Sequence, residues 1–522
     1  MTDAASKEYS IAQACRLRAQ TCSDRPAFSF EGQRQTYAEF DTAVNKTANG
    51  LLAAGIGRGD RIAYLGKNTP VYFELLVAAA KIGAVITPIN WRLAGPELTY
   101  VINDCGARLL FAGGSFCDQV ASLYAEADFT PTTYQVDDTT VSTTSTAQPY
   151  TQWQAAFDDT DPQLDADSKD DLLQLYTSGT TGKPKGAVLS SHGILCLRGQ
   201  EAGDELASWQ DYNEGESALL AMPCFHVGGT GFGMGIMHFG AHAVVVPEYD
   251  PNTALELIEQ YKIGKMFMVP AALRILLGHP RIETADLSSL TYVFYGASPI
   301  PLELMRESME RLGCGFVQMY GMTETSGTIV ALDPEDHDPN GNPKMRSVGK
   351  PMKGVEIKVI DEAGETLATG EIGEIATRSV KNMAGYWQRP EATAETIDAQ
   401  GWLRTGDAGY LDEDGYLYIH DRVKDMIISG GENVYPAEVE DALYSHPAVA
   451  DVAVIGIPDE KWGEAVKAFV VAKENEQPSP DALIAFCREH IAAFKCPKAI
   501  EFIEALPRNA SGKILRRELR EA

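Results

Sequence analysis

The feature that most limits the folds open to this chain is the alternation of short apolar segments with amphipathic segments along its first 125 residues. Arg61–Leu65 and Gly83–Pro88 have the pattern of buried strands, while Thr42–Ala54 and Tyr72–Ile82 have helical spacing and are each followed by glycine. A chain that repeats strand, helix and strand builds a largely parallel sheet covered by helices. The sequence therefore predicts an α/β fold with parallel-rich sheets.

The pattern is interrupted once and then changes in character. Residues 130–151 are rich in Thr and residues 158–171 are rich in Asp, so both are predicted to form a solvated connection. Strands and helices resume at Leu172. From about residue 345 short strands and turns predict a small β-barrel subdomain, which would complete an N-terminal domain of residues 1–420. Residues 425–522 are predicted to form a small α+β domain after a boundary at 421–424.

Composition excludes several classes of protein. The chain carries 44 Lys and Arg against 73 Asp and Glu, a formal net charge of −29, which would repel nucleic acid phosphates. Its nine cysteines contain no CxxC pair, as expected of reduced thiols in the cytoplasm. Neither terminus carries a targeting or lipidation pattern. Residues 217–247 lack charge but contain glycines and prolines, so they predict a buried strand–helix–strand and no transmembrane segment.

A loop of small residues indicates phosphate binding. Tyr176–Gly186 reads YTSGTTGKPKG and follows an apolar strand. Small residues leave backbone N–H groups and hydroxyls free to surround phosphate oxygens, and the two lysines add positive charge. The loop is not a Walker A motif, because Thr177 replaces its first glycine and Pro184 replaces the Ser or Thr that binds Mg²⁺. Dinucleotide-fold and kinase motifs were not found either.

This loop resembles the phosphate-binding motif of the adenylate-forming superfamily, and in particular of its acyl-CoA synthetases, the AMP-dependent fatty-acid-CoA ligases. Five further segments resemble motifs of that superfamily and occur in its order across nearly the whole chain. They are Tyr295–Pro299 (YGASP), Tyr320–Thr325 (YGMTET), Thr405–Asp407 (TGD), Asp421–Glu440 and Pro507–Lys513 (PRNASGK). The resemblance implies a large domain, a hinge at 421–424 and a mobile C-terminal domain. It also implies two half-reactions, acyl-AMP formation with release of pyrophosphate and then thioester formation on CoA.

The resemblance also implies roles for residues of the large domain, with ATP, Mg²⁺ and CoA as the expected small molecules. Phosphate-loop residues would hold the β- and γ-phosphates, and they are Thr177, Ser178, Gly179, Thr180, Thr181 and Lys185. Thr323 and Glu324 would contact phosphate, with Glu324 as the Mg²⁺ ligand. Residues of the adenosine pocket would be Gly296, Ala297, Ser298, Tyr320, Gly321, Asp407 and Arg422, with Asp407 accepting both ribose hydroxyls.

The same comparison implies roles in the C-terminal domain. Lys513 would bridge the attacking carboxylate and the α-phosphate, and Lys424 occupies the hinge position. The thioester step would use the loop that contains Ser429, Gly430, Gly431 and Glu432, together with Trp462 and Lys495. Cys496 stands where relatives often have a basic residue, which puts one CoA phosphate contact in doubt. Pro507–Lys513 also resembles a target of lysine acetyltransferases, and acetylation of Lys513 would remove its charge.

The acid substrate is less constrained. Met222–Gly235 resembles the acyl-pocket segment of CoA ligases, with His226 beside the reacting carboxylate and glycines that leave room along the wall. Its lack of Arg and Lys disfavours dicarboxylates, so a medium- to long-chain fatty acid or another apolar acid is expected. Aryl, steroid-side-chain and short sulfur-containing acids remain alternatives, as does a free-standing enzyme that loads a carrier protein. The sequence leaves a homodimer open.

Overall fold

The centre of the fold is a helix that is buried on all sides. Pro70–Ile82 is almost wholly apolar, and its residues 72–79 are all buried. The ring of Phe73 lies 5.5 Å from that of Phe28 in one sheet, and the ring of Tyr72 lies 5.2 Å from that of Tyr64 in another. A helix that is apolar all round needs cover on every face, and here two sheets supply it.

The computed structural model describes residues 10–124, 130–137, 147–164, 166–177, 183–196, 207–298, 300–422, 425–429, 432–459, 462–508 and 514–521. Within these ranges the side chains of residues 421, 422, 428, 432 and 433 are not described. The α-helices are Ile11–Thr21, Tyr37–Ala53, Pro70–Ile82, Gly95–Cys105, Gly114–Leu123, Tyr150–Ala155, Ser191–Leu195, Val227–Phe239, Pro251–Tyr261, Pro270–Leu277, Leu302–Leu312, Pro390–Thr396, Pro436–Tyr444, Pro480–His490 and Arg516–Glu521.

The first of the two large sheets has nine strands. Its neighbouring strands run in the order Lys350–Pro351, Gly327–Leu332, Gly315–Met322, Tyr292–Gly296, Ile263–Met268, Ser217–Leu220, His242–Val245, Pro26–Phe30 and Gln33–Thr36. The six strands in the middle of this order pair in parallel, as the strand–helix alternation predicts. Strand, helix and strand follow one another at Ser217–Leu220, Val227–Phe239 and His242–Val245, which confirms that the uncharged segment is buried core. None of the described helices is long and apolar enough to cross a bilayer.

The second large sheet has eight strands. Its order is Gly385–Tyr386, Lys185–Ser190, Asp171–Thr177, Val85–Ile89, Arg61–Leu65, Ala107–Ala112, Thr132–Gln135 and Gln148–Pro149. The prediction of a wholly solvated connection over 130–151 was wrong, because Thr132–Gln135 pairs in parallel with Ala107–Ala112 and buries Tyr134. That strand lies near the sheet edge and has mostly polar side chains, so it lacks the apolar alternation by which strands are recognised.

Two smaller sheets complete the fold. The expected β subdomain is a four-stranded antiparallel sheet in the order Glu356–Ile360, Gly373–Arg378, Leu403–Leu411 and Leu417–Arg422. The C-terminal sheet contains Glu432–Val434, Ile427–Ser429, Gly463–Ala472 and Val449–Asp459 in that order, and Ala499–Phe502 pairs in parallel with Gly463–Ala472. Its own hydrophobic core includes Val439, Leu443, Val454 and Cys487. All nine cysteines are free thiols, as the sequence predicts.

A buried ion-pair cluster anchors the Asp-rich segment. The side chain of Lys81 is fully buried, and its Nζ lies 2.7 Å from Asp41 and 2.9 Å from Asp161. Arg16 donates two further hydrogen bonds to Asp161, of 2.7 and 2.8 Å. Burial alone would raise the pKa of Asp161, but the hydrogen bonds from Arg16 and Lys81 outweigh it and hold that pKa below its usual range. This part of the predicted solvated connection is therefore structural.

We expect Asp161→Asn to lower the free energy of unfolding at pH 7 by about 2 kcal/mol, because Arg16 and the buried Lys81 each lose an ionised partner. Since the pKa of Asp161 is lower in the folded state, its contribution is present above the unfolded carboxyl pKa of about 3.9 and is lost as the pH falls through the folded pKa. Denaturant unfolding of the variant and the parent from pH 7 to pH 3 measures both effects.

The matched control is Glu303→Gln, which removes one partner of the exposed pair with Arg306. Surface pairs of this kind contribute little, so this variant should unfold almost like the parent. Equal losses for the two variants at pH 7 would contradict a special role for the buried cluster.

Candidate active site

Three consecutive predicted site residues lie at the end of a central strand and directly after it. Gly296 ends Tyr292–Gly296 and lies opposite Met319 of the next parallel strand. A Cβ atom on Gly296 would collide with the carbonyl oxygen of Met319, so only glycine fits there. Ala297 has φ of +66°, a left-handed conformation that is costly for any residue with a Cβ. Ser298 follows, so the chain turns sharply at the carboxyl edge of the sheet.

The next strand brings Tyr320 and Asp407 together. The Tyr320 hydroxyl donates a 2.8 Å hydrogen bond to Oδ2 of Asp407, a carboxylate that is buried within Leu403–Leu411. Arg422 lies directly opposite Asp407 on the neighbouring antiparallel strand. Gly321 approaches the backbone at Gly327 so closely that a Cβ would collide with its carbonyl oxygen. Predicted residues of the adenosine pocket thus lie side by side.

A second group of residues converges on the carboxylate of Glu324. Thr177, at the end of its strand, donates a 3.1 Å hydrogen bond to Oε1 of Glu324, and the Tyr386 hydroxyl donates one of 2.8 Å to the same oxygen. Lys185 lies opposite Thr177 in the strand register, and its Nζ is 5.2 Å from the centre of the Tyr386 ring. Glu324 itself is buried. Two hydroxyls, an ammonium and a carboxylate therefore meet at the ends of three chain segments.

The turn that carries Glu324 has a fixed backbone. Thr323–Thr325 forms a single 3₁₀ turn, and the Thr325 hydroxyl donates to the carbonyl oxygen of Gly327 at 2.7 Å. Ser326 follows with φ of +51°, again in the left-handed region. The Glu324 carbonyl accepts a 2.8 Å hydrogen bond from the backbone of Met383. These bonds hold Glu324 in place before any ligand is present.

Tyr386 is a site residue that the sequence analysis missed. It lies in Met383–Trp387 (MAGYW), a segment to which the sequence analysis assigned no role. Its two-residue strand, Gly385–Tyr386, pairs with Lys185–Ser190, which explains why its hydroxyl reaches Glu324. Tyr386 and Glu324 are far apart in the chain, so no periodic pattern in the sequence marks their contact. The only cue in the sequence is an aromatic residue beside a short strand and a turn.

His226 is the N-cap residue of Val227–Phe239 and has an unusual environment. Its ring lies 4.6 Å from that of Phe225, and its Nε2 atom is buried with no hydrogen-bond partner among the described residues. Burial, and secondly the positive charge of Arg92, lower the pKa of His226 to about 4. The imidazole is therefore neutral at pH 7, with one nitrogen available to a ligand.

The expectation that glycines open space along this segment was wrong for two of them. A Cβ on Gly229 would collide with the carbonyl oxygen of Pro223, and a Cβ on Gly233 would collide with the ring of Phe73. These positions let the helix pack closely against its neighbours. Gly228 faces Phe267, whose Cε1 would lie 2.9 Å from an added Cβ, whereas the nearest atom to one on Gly231 would be 3.6 Å away.

The C-terminal region holds a separate set of predicted site residues. Ser429 is buried and pairs with Gly463, which directly follows the half-exposed Trp462. Lys495 forms an ion pair with Glu438, with Nζ to oxygen distances of 2.6 and 2.7 Å. Cys496 is buried in the core of this region and its Sγ lies 3.5 Å from the carbonyl oxygen of Ala492. Cys496 is therefore a packed thiol.

Some predicted site residues lie outside the described residues. They are Ser178, Gly179, Thr180, Thr181, Lys424, Gly430, Gly431 and Lys513, together with the side chains of Arg422 and Glu432. The ranges that are described contain no cluster of three or more His, Cys, Asp or Glu that could hold a metal ion by itself.

We expect Gly229→Ala to lower the free energy of unfolding by about 2 kcal/mol, because its methyl group has no space beside Pro223. Gly231 lies on the same helix, but an added methyl group there would make only ordinary contacts. Gly231→Ala should therefore change the free energy of unfolding by less than about 1 kcal/mol. Denaturant unfolding of the two variants measures the difference. Similar losses at both positions would contradict the packing role assigned to Gly229.

Comparisons with known proteins agree with this geometry. The family model described as AMP-binding enzyme matches residues 15–387, and the AMP-binding enzyme C-terminal domain matches residues 438–513. The chain is 42% identical to the fatty acid–[acyl-carrier-protein] ligase ScoC of Streptomyces coeruleorubidus, over 98% of this chain and 96% of that protein. It is 39% identical to a feruloyl-CoA synthase of Amycolatopsis sp, over 96% of this chain and 97% of the relative.

A solved structure extends the likeness to the fold. The amide bond synthetase McbA from Marinactinospora thermotolerans superposes with a TM-score of 0.86 at 30% identity, covering 98% of this chain and 99% of that one. The first family model matches well over half of the chain, and the curated relatives cover nearly all of it. The chain therefore belongs to the AMP-binding enzyme family of adenylate-forming acid–thiol ligases.

Proposed function

We propose that this protein joins a carboxylic acid to CoA in two steps at the expense of ATP. In the first step a carboxylate oxygen bonds to the α-phosphorus of ATP, the bond to the bridging oxygen breaks, and pyrophosphate leaves with that electron pair. In the second step the sulfur of CoA bonds to the acyl carbon, the bond from that carbon to the AMP oxygen breaks, and the thiol proton passes to solvent. The products are an acyl-CoA and AMP.

The observation that carries this proposal is the convergence of Thr177, Lys185 and Glu324 beside the joined pair of Tyr320 and Asp407. A nucleotide triphosphate needs donors for its phosphates and an acceptor for its ribose, and the two groups offer both. In this proposal Asp407 and Arg422 bind the ribose, Tyr320 stacks on adenine, and Gly296 to Ser298 form the other wall. Thr177, Lys185 and Thr323 bind phosphate oxygens, together with the loop residues Ser178 to Thr181.

Glu324 is the residue that would hold Mg²⁺. Its carboxylate is a hard oxygen donor, and both of its described donors meet the single oxygen Oε1. A bound Mg²⁺ supplies charge neutralisation for the phosphates. The hydroxyls of Thr177 and Tyr386 orient the carboxylate toward the place where those phosphates would lie, and this arrangement fits the ion.

His226 would orient the acid. With a pKa lowered to about 4, its ring is neutral at pH 7 and does not add a cation that would compete with Lys513 for the carboxylate. The buried Nε2 has no partner among the residues described, so a bound carboxylate would satisfy it. This role is positioning and does not require a change in the charge of the imidazole.

The two steps need different groups at one place, and the C-terminal region would provide them in turn. Lys513 would neutralise charge between the carboxylate and the α-phosphate in the first step. The segment from Ser429 to Glu432, with Trp462 and Lys495, would bind the CoA arm in the second. Lys424 is proposed as the hinge about which the region turns.

The acid is proposed to be apolar, with a medium- to long-chain fatty acid as the leading candidate. The relative ScoC is a fatty acid ligase, and the segment Met222–Gly235 carries no Arg or Lys to meet a second carboxylate. The charge of Arg92 reaches His226, but its guanidinium is already paired with Glu248. The feruloyl-CoA synthase relative keeps an aryl acid as a rival, and steroid-side-chain or short sulfur-containing acids are further rivals. The glycines do not help to choose among these acids, because other residues of the protein occupy the space beside Gly229 and Gly233.

A second candidate thiol is the phosphopantetheine of an acyl carrier protein. The relative with 42% identity is a ligase for such a carrier. In addition, Cys496 is uncharged and the ammonium of Lys495 is already paired with Glu438, so these two positions offer a CoA nucleotide phosphate less positive charge than a basic residue at position 496 would. A carrier protein has no such phosphate to recognise at that position, which makes this candidate specific and testable.

The test is pyrophosphate release with a panel of fatty, aryl, steroid-side-chain and sulfur-containing acids, each with CoA, with a holo carrier protein or with neither. We expect release with an apolar acid and formation of AMP and acyl-CoA, identified by mass spectrometry. Thioester on the carrier alone would establish the second candidate. If no acid supports pyrophosphate release, the proposed reaction is wrong.

We expect Lys513→Ala to slow acyl-AMP formation by about a thousandfold, because a preorganised charge at the reacting phosphate is lost. Thioester formation from supplied acyl-AMP should keep its rate. Gly431→Trp should do the reverse by obstructing the CoA arm. Single-turnover rates of each half-reaction measure both effects, and equal loss of both steps in both variants would contradict the alternation of domains.

A further inference from the structure

One arginine of the large region contacts the C-terminal region in three ways. Arg274 lies on Pro270–Leu277, and its Nη1 donates a 3.1 Å hydrogen bond to the carbonyl oxygen of Ala450. The same nitrogen lies 3.4 Å from Oδ2 of Asp451, and the guanidinium carbon is 5.1 Å from the centre of the Tyr444 ring. A carbonyl, a carboxylate and an aromatic face are the partners that suit a planar cation.

The carboxylate of Asp451 is shared by two arginines. Its Oδ2 also accepts a 2.7 Å hydrogen bond from Nη2 of Arg508. The exposed fraction of the side chain is 34% for Arg274, 19% for Asp451 and 28% for Arg508, so all three are partly shielded from water. Charge-assisted bonds in such places contribute more than those on the open surface. Arg508 precedes Lys513 by only five positions in the sequence.

The position of Arg274 relates this contact to the candidate site. Its helix follows the strand Ile263–Met268, which runs parallel to Tyr292–Gly296 with Met268 opposite Tyr295. The carboxyl ends of these strands lie at one edge of the sheet, the edge that continues into Gly296 and Ala297. The Arg274 contact therefore holds the chain just before Lys513 against the side of the large region that bears the candidate adenosine pocket.

We propose that Arg274, through Asp451, is an orientation latch that holds the C-terminal region in the arrangement used for acyl-AMP formation. Arg274 is a positioning residue, since its described partners belong to the protein itself. The latch must open before the second step, because the Ser429 to Glu432 segment then has to reach the acyl-AMP. This inference rests on the proposed two-step reaction.

Arg274→Ala tests the latch because it removes all three contacts at once. A contact made in only one of two orientations shifts the population between them. We expect the single-turnover rate of acyl-AMP formation to fall about tenfold, a coupling of ordinary size. Thioester formation from supplied acyl-AMP should keep its rate or become faster. Arg274→Lys keeps the charge near Asp451 and should recover part of the first rate.

The matched control is Arg281→Ala, since the side chain of Arg281 has the same 34% exposure and pairs with Glu256 and Glu259 inside the large region. The rates of both half-reactions in Arg281→Ala should match those of the parent. Equal loss of both half-reactions in Arg274→Ala, or no loss of the first, would overturn the latch.

A second measurement does not depend on catalysis. Hydrogen–deuterium exchange of the ligand-free protein should be faster over Tyr444–Val452 in Arg274→Ala than in the parent or in Arg281→Ala. Unchanged exchange there would show that the contact does not hold the region and would also overturn the proposal. Failure of the parent protein to form acyl-AMP from any acid, with faster exchange still seen in Arg274→Ala, would instead count against the proposed function.

Discussion

The carboxylate of Glu324 is the point on which the candidate site depends. It lies between Gly315–Met322 and Gly327–Leu332, two antiparallel strands of the nine-stranded sheet, while its donors Thr177 and Tyr386 belong to the eight-stranded sheet. A single oxygen atom thus ties the edges of both sheets together. Because a buried carboxylate without donors would be costly, the hydroxyls and the carboxylate require one another. These hydrogen bonds therefore join the two sheets at the residues that would handle phosphate.

The interior of the fold explains how the two sheets come so close. Pro70–Ile82 lies between them and is apolar on all sides, and Gly233 lets the helix Val227–Phe239 rest on the ring of Phe73. A larger residue at Gly233 would push the central helices apart and shift the strand ends that carry the site. Packing between the sheets thus affects the geometry of the strand ends that carry the site, so glycines far from any ligand affect ligand binding.

Sequence patterns predicted the fold well wherever one local signal decided the structure. Arg61–Leu65 was predicted with the bounds that the structure has, and the helix predicted over Tyr72–Ile82 ends at the residue before Gly83, as predicted. Thr132–Gln135 was missed because its pairing depends on a distant strand. Gly229 was misread because a glycine that opens a pocket and one that permits close packing look the same in a sequence. Tyr386 was missed because its contact with Glu324 is tertiary.

An acidic protein that binds a polyanion needs positive charge at the binding site despite its negative net charge. The formal charge is −29, yet distant surface carboxylates are screened over about 8 Å at physiological salt, so nearby groups dominate at the site. Lys183 lies 5.5 Å from the centre of the Tyr100 ring, and Lys185 lies 5.2 Å from that of Tyr386. An aromatic face holds an ammonium group without cancelling its charge, whereas a carboxylate would. Placing these lysines on rings therefore keeps their positive charge available for the proposed phosphate and leaves Glu324 available for the proposed metal ion.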